Sequence, residues 1–232
     1  PPSPYSNADI TRNVQGWGLP NIAAVYDLRQ KMVIVNETDV ITQFQSVVYN
    51  VLVNAGEPAL KATLVYADPP GTTSATVHRI NDLSLKVTSP SGTVYWGNYG
   101  LTDNYGQTAR LWSDYDTTPA TSEADHINTV ENVFVQIPTP GLWQIRVRAD
   151  EVNQDGHTET PAGAGCSVAP ACDVDFALVV SGALRDCNAN GIPDGQDIAS
   201  GTGPDCNNNS VPDSCDIASG TSQDCSGNGI PD

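Results

Sequence analysis

Between residues 29 and 185 apolar and polar side chains alternate with a period of two. That spacing sends successive side chains to opposite faces of a strand. Runs rich in Val, Thr, Ile and Leu predict strands near 31–35, 43–53, 59–67, 83–88, 92–96, 130–136, 142–148 and 173–181. In Ser46-Val47-Val48-Tyr49-Asn50-Val51-Leu52-Val53 both faces carry apolar residues, which predicts a strand central to its sheet. Asp68-Pro69-Pro70-Gly71, Ser89-Pro90-Ser91-Gly92 and Pro138-Thr139-Pro140-Gly141 supply turns between the runs. No long amphipathic helix interrupts them. The expectation is an all-β fold, a jelly-roll-like β-sandwich over 29–185, preceded by an irregular polar stretch over 1–28 around Gly16-Trp17-Gly18.

Two stretches break the strand rhythm. Residues 97–129 are too long for a hairpin loop and carry Tyr99, Tyr105, Trp112 and Tyr115 among Asp and Thr. These rings could stack on a sugar, as in a carbohydrate-binding module, or pack over the sandwich. The second stretch, 150–172, ends in Cys166 and Cys172.

From residue 186 the alternation stops and a 19-residue repeat begins. Copy one opens on Asp186-Cys187-Asn188-Ala189-Asn190-Gly191-Ile192-Pro193-Asp194, and copy two on Asp205-Cys206-Asn207-Asn208-Asn209-Ser210-Val211-Pro212-Asp213. Copy three is Asp224-Cys225-Ser226-Gly227-Asn228-Gly229-Ile230-Pro231-Asp232. Counted from the first Asp, oxygen-bearing side chains recur at positions 1, 3, 5 and 9, and at position 12 as Asp197 and Asp216. Position 6 is Gly191, Ser210 or Gly229, and position 7, whose backbone carbonyl would be the donor, is Ile192, Val211 or Ile230. This is the ligand spacing of an EF-hand loop, because Ca²⁺ takes six to eight hard oxygen ligands converging from alternate residues of a tight turn. The expected ligands are therefore Asp186, Asn188, Asn190, Ile192, Asp194 and Asp197, and Asp205, Asn207, Asn209, Val211, Asp213 and Asp216. Copy three adds Asp224, Ser226, Asn228, Ile230 and Asp232. Position 12 is Asp rather than the longer Glu, which predicts weak, extracellular-type binding on the order of 10⁻⁴ to 10⁻³ M. About four residues separate position 12 from Gly201 or Gly220, room for one turn of helix. The loops resemble dockerin or thrombospondin type 3 repeats more than a paired EF-hand sensor.

Charge sharpens this reading. The chain has 27 acidic against 10 basic residues, a net charge of −17, which disfavours nucleic acid and anionic membranes as partners. Residues 186–232 hold eight acids and no Lys or Arg, with too few apolar residues for a core. So small a segment needs metals or disulfides to order. A flexible Asp/Asn/Gly linker would not keep five donor positions, a cysteine and a proline at fixed offsets in three copies.

Five of the six cysteines follow residue 170, and none forms a CxxC pair. With His78, His126 and His157 scattered, disulfides explain them better than zinc, and disulfides imply an oxidising, extracellular compartment. If position 11 pairs with position 2 of the next copy, Cys215–Cys225 follows. Gln196 then leaves Cys206 to Cys187, and Cys166–Cys172 completes the set. Pro1-Pro2-Ser3-Pro4 has neither the basic start nor the apolar run of a signal peptide, which predicts a mature or excised piece. No apolar run approaches the length of a membrane span.

Residues 12–185 resemble the region behind the catalytic domain of secreted subtilisin-like serine proteases. The motifs are Gln15-Gly16-Trp17-Gly18, Ala62-Thr63-Leu64-Val65-Tyr66-Ala67-Asp68-Pro69-Pro70, and Ile80-Asn81-Asp82-Leu83-Ser84-Leu85-Lys86-Val87-Thr88-Ser89-Pro90-Ser91-Gly92-Thr93. Gly97-Asn98, Asn128-Thr129-Val130-Glu131-Asn132-Val133, Pro140-Gly141-Leu142-Trp143 and Phe176-Ala177-Leu178-Val179-Val180-Ser181-Gly182 follow in order. The resemblance implies that 1–28 is the end of a catalytic domain or an N-terminal arm, and that the rest is a noncatalytic accessory barrel partnered by an upstream protease domain. The family's Gly-Thr-Ser-Met-type nucleophile segment is missing, and Gly71-Thr72-Thr73-Ser74 is only a turn, so no catalytic residue is expected in this chain. The resemblance also implies calcium within the barrel, where Asp68, Asp82, Asp125, Asn128 and Glu131 could converge or serve as ordinary turn and edge acids. The alternative function is a structural subunit of a fibre, surface layer or adhesin, with neighbouring subunits as partners in a homopolymer.

Overall fold

A computed structural model describes Arg12 and residues 16–102, 110–118, 123–156, 172–220, 222–224, 227–229 and 231. The described residues form nine strands: β1 Met32–Thr42, β2 Ser46–Val53, β3 Ala59–Val65, β4 Asp82–Thr88, β5 Val94–Trp96, β6 Val130–Gln136, β7 Gly141–Glu151, β8 Asp173–Ser181 and the short β9 Leu184–Arg185; burial alternates most clearly along β2, β3, β7 and β8, as the period-two pattern requires. They form a four-stranded sheet in the order β1-β8-β3-β6 and a five-stranded sheet in the order β5-β4-β7-β2-β9. Every pairing is antiparallel. With β9 set aside, this interleaving is that of a jelly roll, two Greek keys folded into a sandwich.

The inward face of each sheet supplies one core. Leu64, Phe176 and Leu178 from one sheet and Val51, Leu83, Leu85, Ile145 and Val147 from the other are fully buried. Burying a side chain of this size stabilises by about 1.5–3 kcal/mol each. Trp143 closes one end, its indole N–H donating to Thr139 O at 2.8 Å.

Three expectations need correction. The segment 46–53 is not central: β2 lies beside β7, and its other neighbour, β9, pairs only with Val51 and Leu52. Its burial alternates, with Tyr49, Val51 and Val53 inside, Asn50 and Leu52 half-buried and Val48 exposed. The first strand runs to Thr42 rather than ending near residue 35. A bulge between Asn36 and Val40, with Glu37 at φ 54°, absorbs the polar residues that mask its alternation. The stretch before the sandwich is partly helical: α1 spans Ile22–Leu28, capped by Asn21, whose side chain accepts from Ala24 N at 3.0 Å.

Two further helices lie in the repeat region, α2 Asp194–Ser200 and α3 Asp213–Ser219. Each is seven residues long, not one turn. They begin at repeat position 9, inside the loop, on the extended prolines Pro193 and Pro212, and they end on the left-handed glycines Gly201 and Gly220. Among the described residues no helix is long and apolar enough to cross a membrane.

Candidate metal centre

Copy one joins the sandwich directly. Strand β9 pairs with β2, and Asp186 N then donates to Asn50 O at 3.1 Å. The loop that follows is wired by its own side chains. The Asp186 carboxylate accepts from Asn190 N at 3.1 Å and from Gly191 N at 2.9 Å, which fixes the turn at position 6. Gly191 sits at φ 83°, a conformation that costs glycine nothing. Asn188 Oδ1 also accepts from Asn190 N, at 3.0 Å, and Asn190 Oδ1 accepts from Ile192 N at 2.7 Å.

The ends of the loop then converge. The amides of Asn188 and Asn190 both donate to Asp197 Oδ2, at 3.2 and 2.8 Å. Asp197 Oδ1 accepts from Thr202 Oγ1 at 2.9 Å. These donors hold the Asp197 carboxyl below its ordinary pKa, the bond from Asn190 contributing most. Asp194 Oδ1 accepts from Cys187 N at 2.8 Å, while its buried Oδ2 has no hydrogen bond and lies 3.6 Å from Arg185 Nε. Burial raises the Asp194 pKa. The carboxylates at positions 1, 9 and 12 of copy one are all buried, at 0–2% exposure.

Copy two repeats the turn and amide bonds of this wiring. Asp205 accepts from Asn209 N and Ser210 N at 3.1 and 2.9 Å, and Asp216 Oδ2 accepts from Asn207 and Asn209 at 3.0 and 2.8 Å. Asp213 Oδ1 accepts from Cys206 N at 2.9 Å, and its buried Oδ2 again has no hydrogen bond. Ser210 takes the position-6 turn at φ 69° without being glycine. In copy three Asp224 accepts from Asn228 N and Gly229 N at 3.0 and 2.8 Å. Ser226, Ile230 and Asp232 lie outside the described residues.

This donor set fits a hard divalent cation. The side chains at positions 3, 5 and 12 are brought together, position 1 is tied to the backbone of positions 5 and 6, and a buried carboxylate oxygen at position 9 has no hydrogen bond. A buried acceptor left unpaired costs about 1–3 kcal/mol, more when charged. Ile192 and Val211 stand at position 7 of the same turns, as the spacing requires.

The cysteine pairing differs from expectation. Cys187 bonds Cys215, 28 residues away with Cα atoms 6.1 Å apart, and Cys206 is a free, exposed thiol. Cys187–Cys206 and Cys215–Cys225 are thereby both excluded. Cys215 lies in the first turn of α3, whose Asp213 N donates to Pro204 O at 2.7 Å, so the start of this helix is set against copy one. Cys172 is disulfide-bonded, while Cys166 and Cys225 lie outside the described residues.

The sandwich holds a second polar centre. Asp82 and Asp150 meet His126, whose ring Nδ1 is 2.6 Å from Asp82 Oδ2. Sequence spacing gives no hint of His126 here, since its partners lie on distant strands. Arg79 lies 3.6 Å from Asp82 and 3.1 Å from Glu151, and Arg148 pairs with Asp150, so this is largely a charge-balanced network. Glu131 is different. It is fully buried, its Oε2 accepts from Leu85 N at 2.7 Å, and Oε1 has no partner. Burial, followed by the charges of Asp125, Asp82 and Asp150, raises its pKa well above the ordinary carboxyl range. The other barrel candidates are occupied: Asp68 accepts from Ile80 N and Asn81 N, and Asp125 from Asn98, Asn128 and Ile127 N. In loop 97–129, Ser113 and Phe134 exchange backbone and hydroxyl bonds at 2.8 and 2.9 Å, and Trp96 donates to Asp116 at 3.0 Å, tying the loop to the sandwich. Trp112 is half-buried beside Lys61, Tyr115 is exposed, and Tyr105 lies outside the described residues.

The chain matches no family model and no curated protein. Among solved structures it is similar to the crystal structure of the Bacillus licheniformis lipase BlEst2 in propeptide form, at 12% identity and a TM-score of 0.31. That alignment covers 66% of this chain and 22% of the other, and a likeness this slight carries no argument about fold or function.

Proposed function

We propose that this chain is a noncatalytic accessory module of an exported subtilisin-like serine protease, with a tail ordered by calcium. One observation carries the reading: both complete loops bury acids at positions 9 and 12 and gather the position 3 and 5 amides on the position 12 carboxylate. Asp186, Asn188, Asn190, Asp194, Asp197 and the Ile192 carbonyl would hold one ion. Asp205, Asn207, Asn209, Asp213, Asp216 and the Val211 carbonyl would hold another. Calcium there would supply positive charge to these acids, of which Asp194 lies 3.6 Å from Arg185 Nε.

The accessory role draws on the protease resemblance and on a surface beside it. Leu19, Ile22, Val25 and Tyr26, just after the Gly-Trp-Gly segment, are exposed, and α1 buries none of its residues. An apolar surface of this kind suits a neighbouring domain. The test is limited proteolysis of the whole chain with and without chelator. Chelation is expected to speed cleavage within 186–220 while the sandwich stays folded, and equal rates would count against the reading.

A second reading, a fibre or surface-layer subunit, has one observation in its favour. Strand β1 is a sheet edge, and Ile34 and Val40 on it are exposed. Concentration-dependent polymers in electron micrographs would favour it.

A further inference from the structure

The two complete loops share one donor set and differ in one charge. Positions 1, 3, 5, 9 and 12 are Asp, Asn, Asn, Asp and Asp in both. The residue just before position 1 is Arg185 in copy one and Pro204 in copy two. From that residue to position 12, Arg185 is the whole difference in formal charge between the copies.

The fold holds Arg185 against its loop. Its backbone lies in β9 opposite Val51 of β2, and the next residue donates from Asp186 N to Asn50 O at 3.1 Å. Its side chain is 33% exposed, and its Nε stands 3.6 Å from Asp194 Oδ2. That oxygen, at position 9, is buried and has no hydrogen bond. Copy two keeps the acid without the cation. Asp213 accepts from the position-2 amide as Asp194 does, and its Oδ2 is again buried without a hydrogen bond. Pro204 offers only its carbonyl, which accepts from Asp213 N at 2.7 Å.

We propose that Arg185 is a built-in counter-cation of the copy-one site, which competes with calcium for Asp194 and makes copy one fill after copy two. The proposal rests on the reading of the loops as calcium sites and adds what distinguishes them. Affinity in loops of this kind follows the charge count of the ligands. A guanidinium is always charged. It offsets one of the three carboxylates of copy one and repels a divalent cation placed among them. Copy two presents the same three carboxylates with no such charge beside position 1. In the absence of an ion the guanidinium also stabilises Asp194, since a buried carboxylate left unpaired is costly.

The test reads each loop separately in the whole 232-residue chain. The position-6 amides, Gly191 N and Ser210 N, each donate at 2.9 Å to the position-1 carboxylate of their own loop. Calcium chloride is titrated at low salt while both amides are followed by nitrogen-15 NMR. In the wild-type chain Ser210 should reach its midpoint at about fivefold less calcium than Gly191. Arg185→Gln should lower the Gly191 midpoint by about the same factor and leave that of Ser210 in place. Arg185→Lys keeps the charge and should stay close to wild type. Added salt should narrow the wild-type gap, because a partly exposed charge is screened. Equal midpoints in the wild-type chain, or a Gly191 midpoint unmoved in Arg185→Gln, would overturn the proposal and leave the calcium reading standing. A Gly191 shift of the same size in Arg185→Lys would trace the effect to packing instead of charge, and would also overturn it. If neither amide responds to calcium, the calcium reading itself fails and this proposal with it. The wild-type comparison needs no variant, so it decides the matter even where a substitution disturbs β9.

Discussion

Replacing both Cys187 and Cys215 with serine removes the bridge without leaving a lone thiol. The bridge closes a loop spanning 28 residues, for which the chain-entropy relation gives about 3.6 kcal/mol of stabilisation. A tail without a core resists opening through this bridge and through its hydrogen-bonded loops. Proteolysis of a transiently opened segment follows the population of the open form when closing is fast. At about 1.4 kcal/mol per tenfold, the double variant should be cut within 186–220 about 400-fold faster in the same calcium-containing buffer. The sandwich has its own core, so its melting should stay within about 2 °C, less than the shift about 1 kcal/mol would cause in a domain of this size. A cleavage ratio below about threefold would refute the reasoning, because the bridge would then not be what closes the tail.

Gly97→Ala would place a Cβ 2.7 Å from Glu131 Cβ and Cδ, forcing the carboxylate off Leu85 N. Overpacking and an orphaned buried N–H together cost about 3 kcal/mol, a fall in melting temperature of about 6–12 °C by calorimetry; an unchanged melt would contradict the packing. Glu131→Gln tests the raised pKa. The folded state holds the Glu131 proton more tightly than the unfolded state, so its contribution is full below the ordinary value of 4.5 and is lost as pH rises toward the raised folded value. The variant should therefore lack that loss and gain stability relative to wild type at pH 7, and parallel stability–pH curves would refute it.

The sandwich was legible because each strand has one dry face. Leu60, Ala62 and Leu64 are buried and alternate with the more open Lys61 and Thr63, and that period alone places them. The bulged half of β1 was not legible, because Asn36 to Asp39 interrupts the pattern while the backbone pairing resumes. Helix α1 hid behind a short apolar run whose only signal was the cap Asn21. In the tail, the spacing singled out Asn188, Asn190 and Asp197, and Asn207, Asn209 and Asp216, whose side chains meet. The bridge could not be read, because it depends on where α3 starts, and Pro212 and Gly220 mark the ends of that helix only in retrospect. The meeting of His126 with Asp82 joins residues 44 apart through sheet topology, which no local pattern encodes.

Calcium titration of the whole chain by calorimetry, beside an Asp197→Ala/Asp216→Ala variant, bears most directly on the tail. Saturable heat with a dissociation constant on the order of 10⁻⁴ to 10⁻³ M, lost in the variant, is the expected result. No heat in the wild-type chain, or the same heat in both, would contradict it.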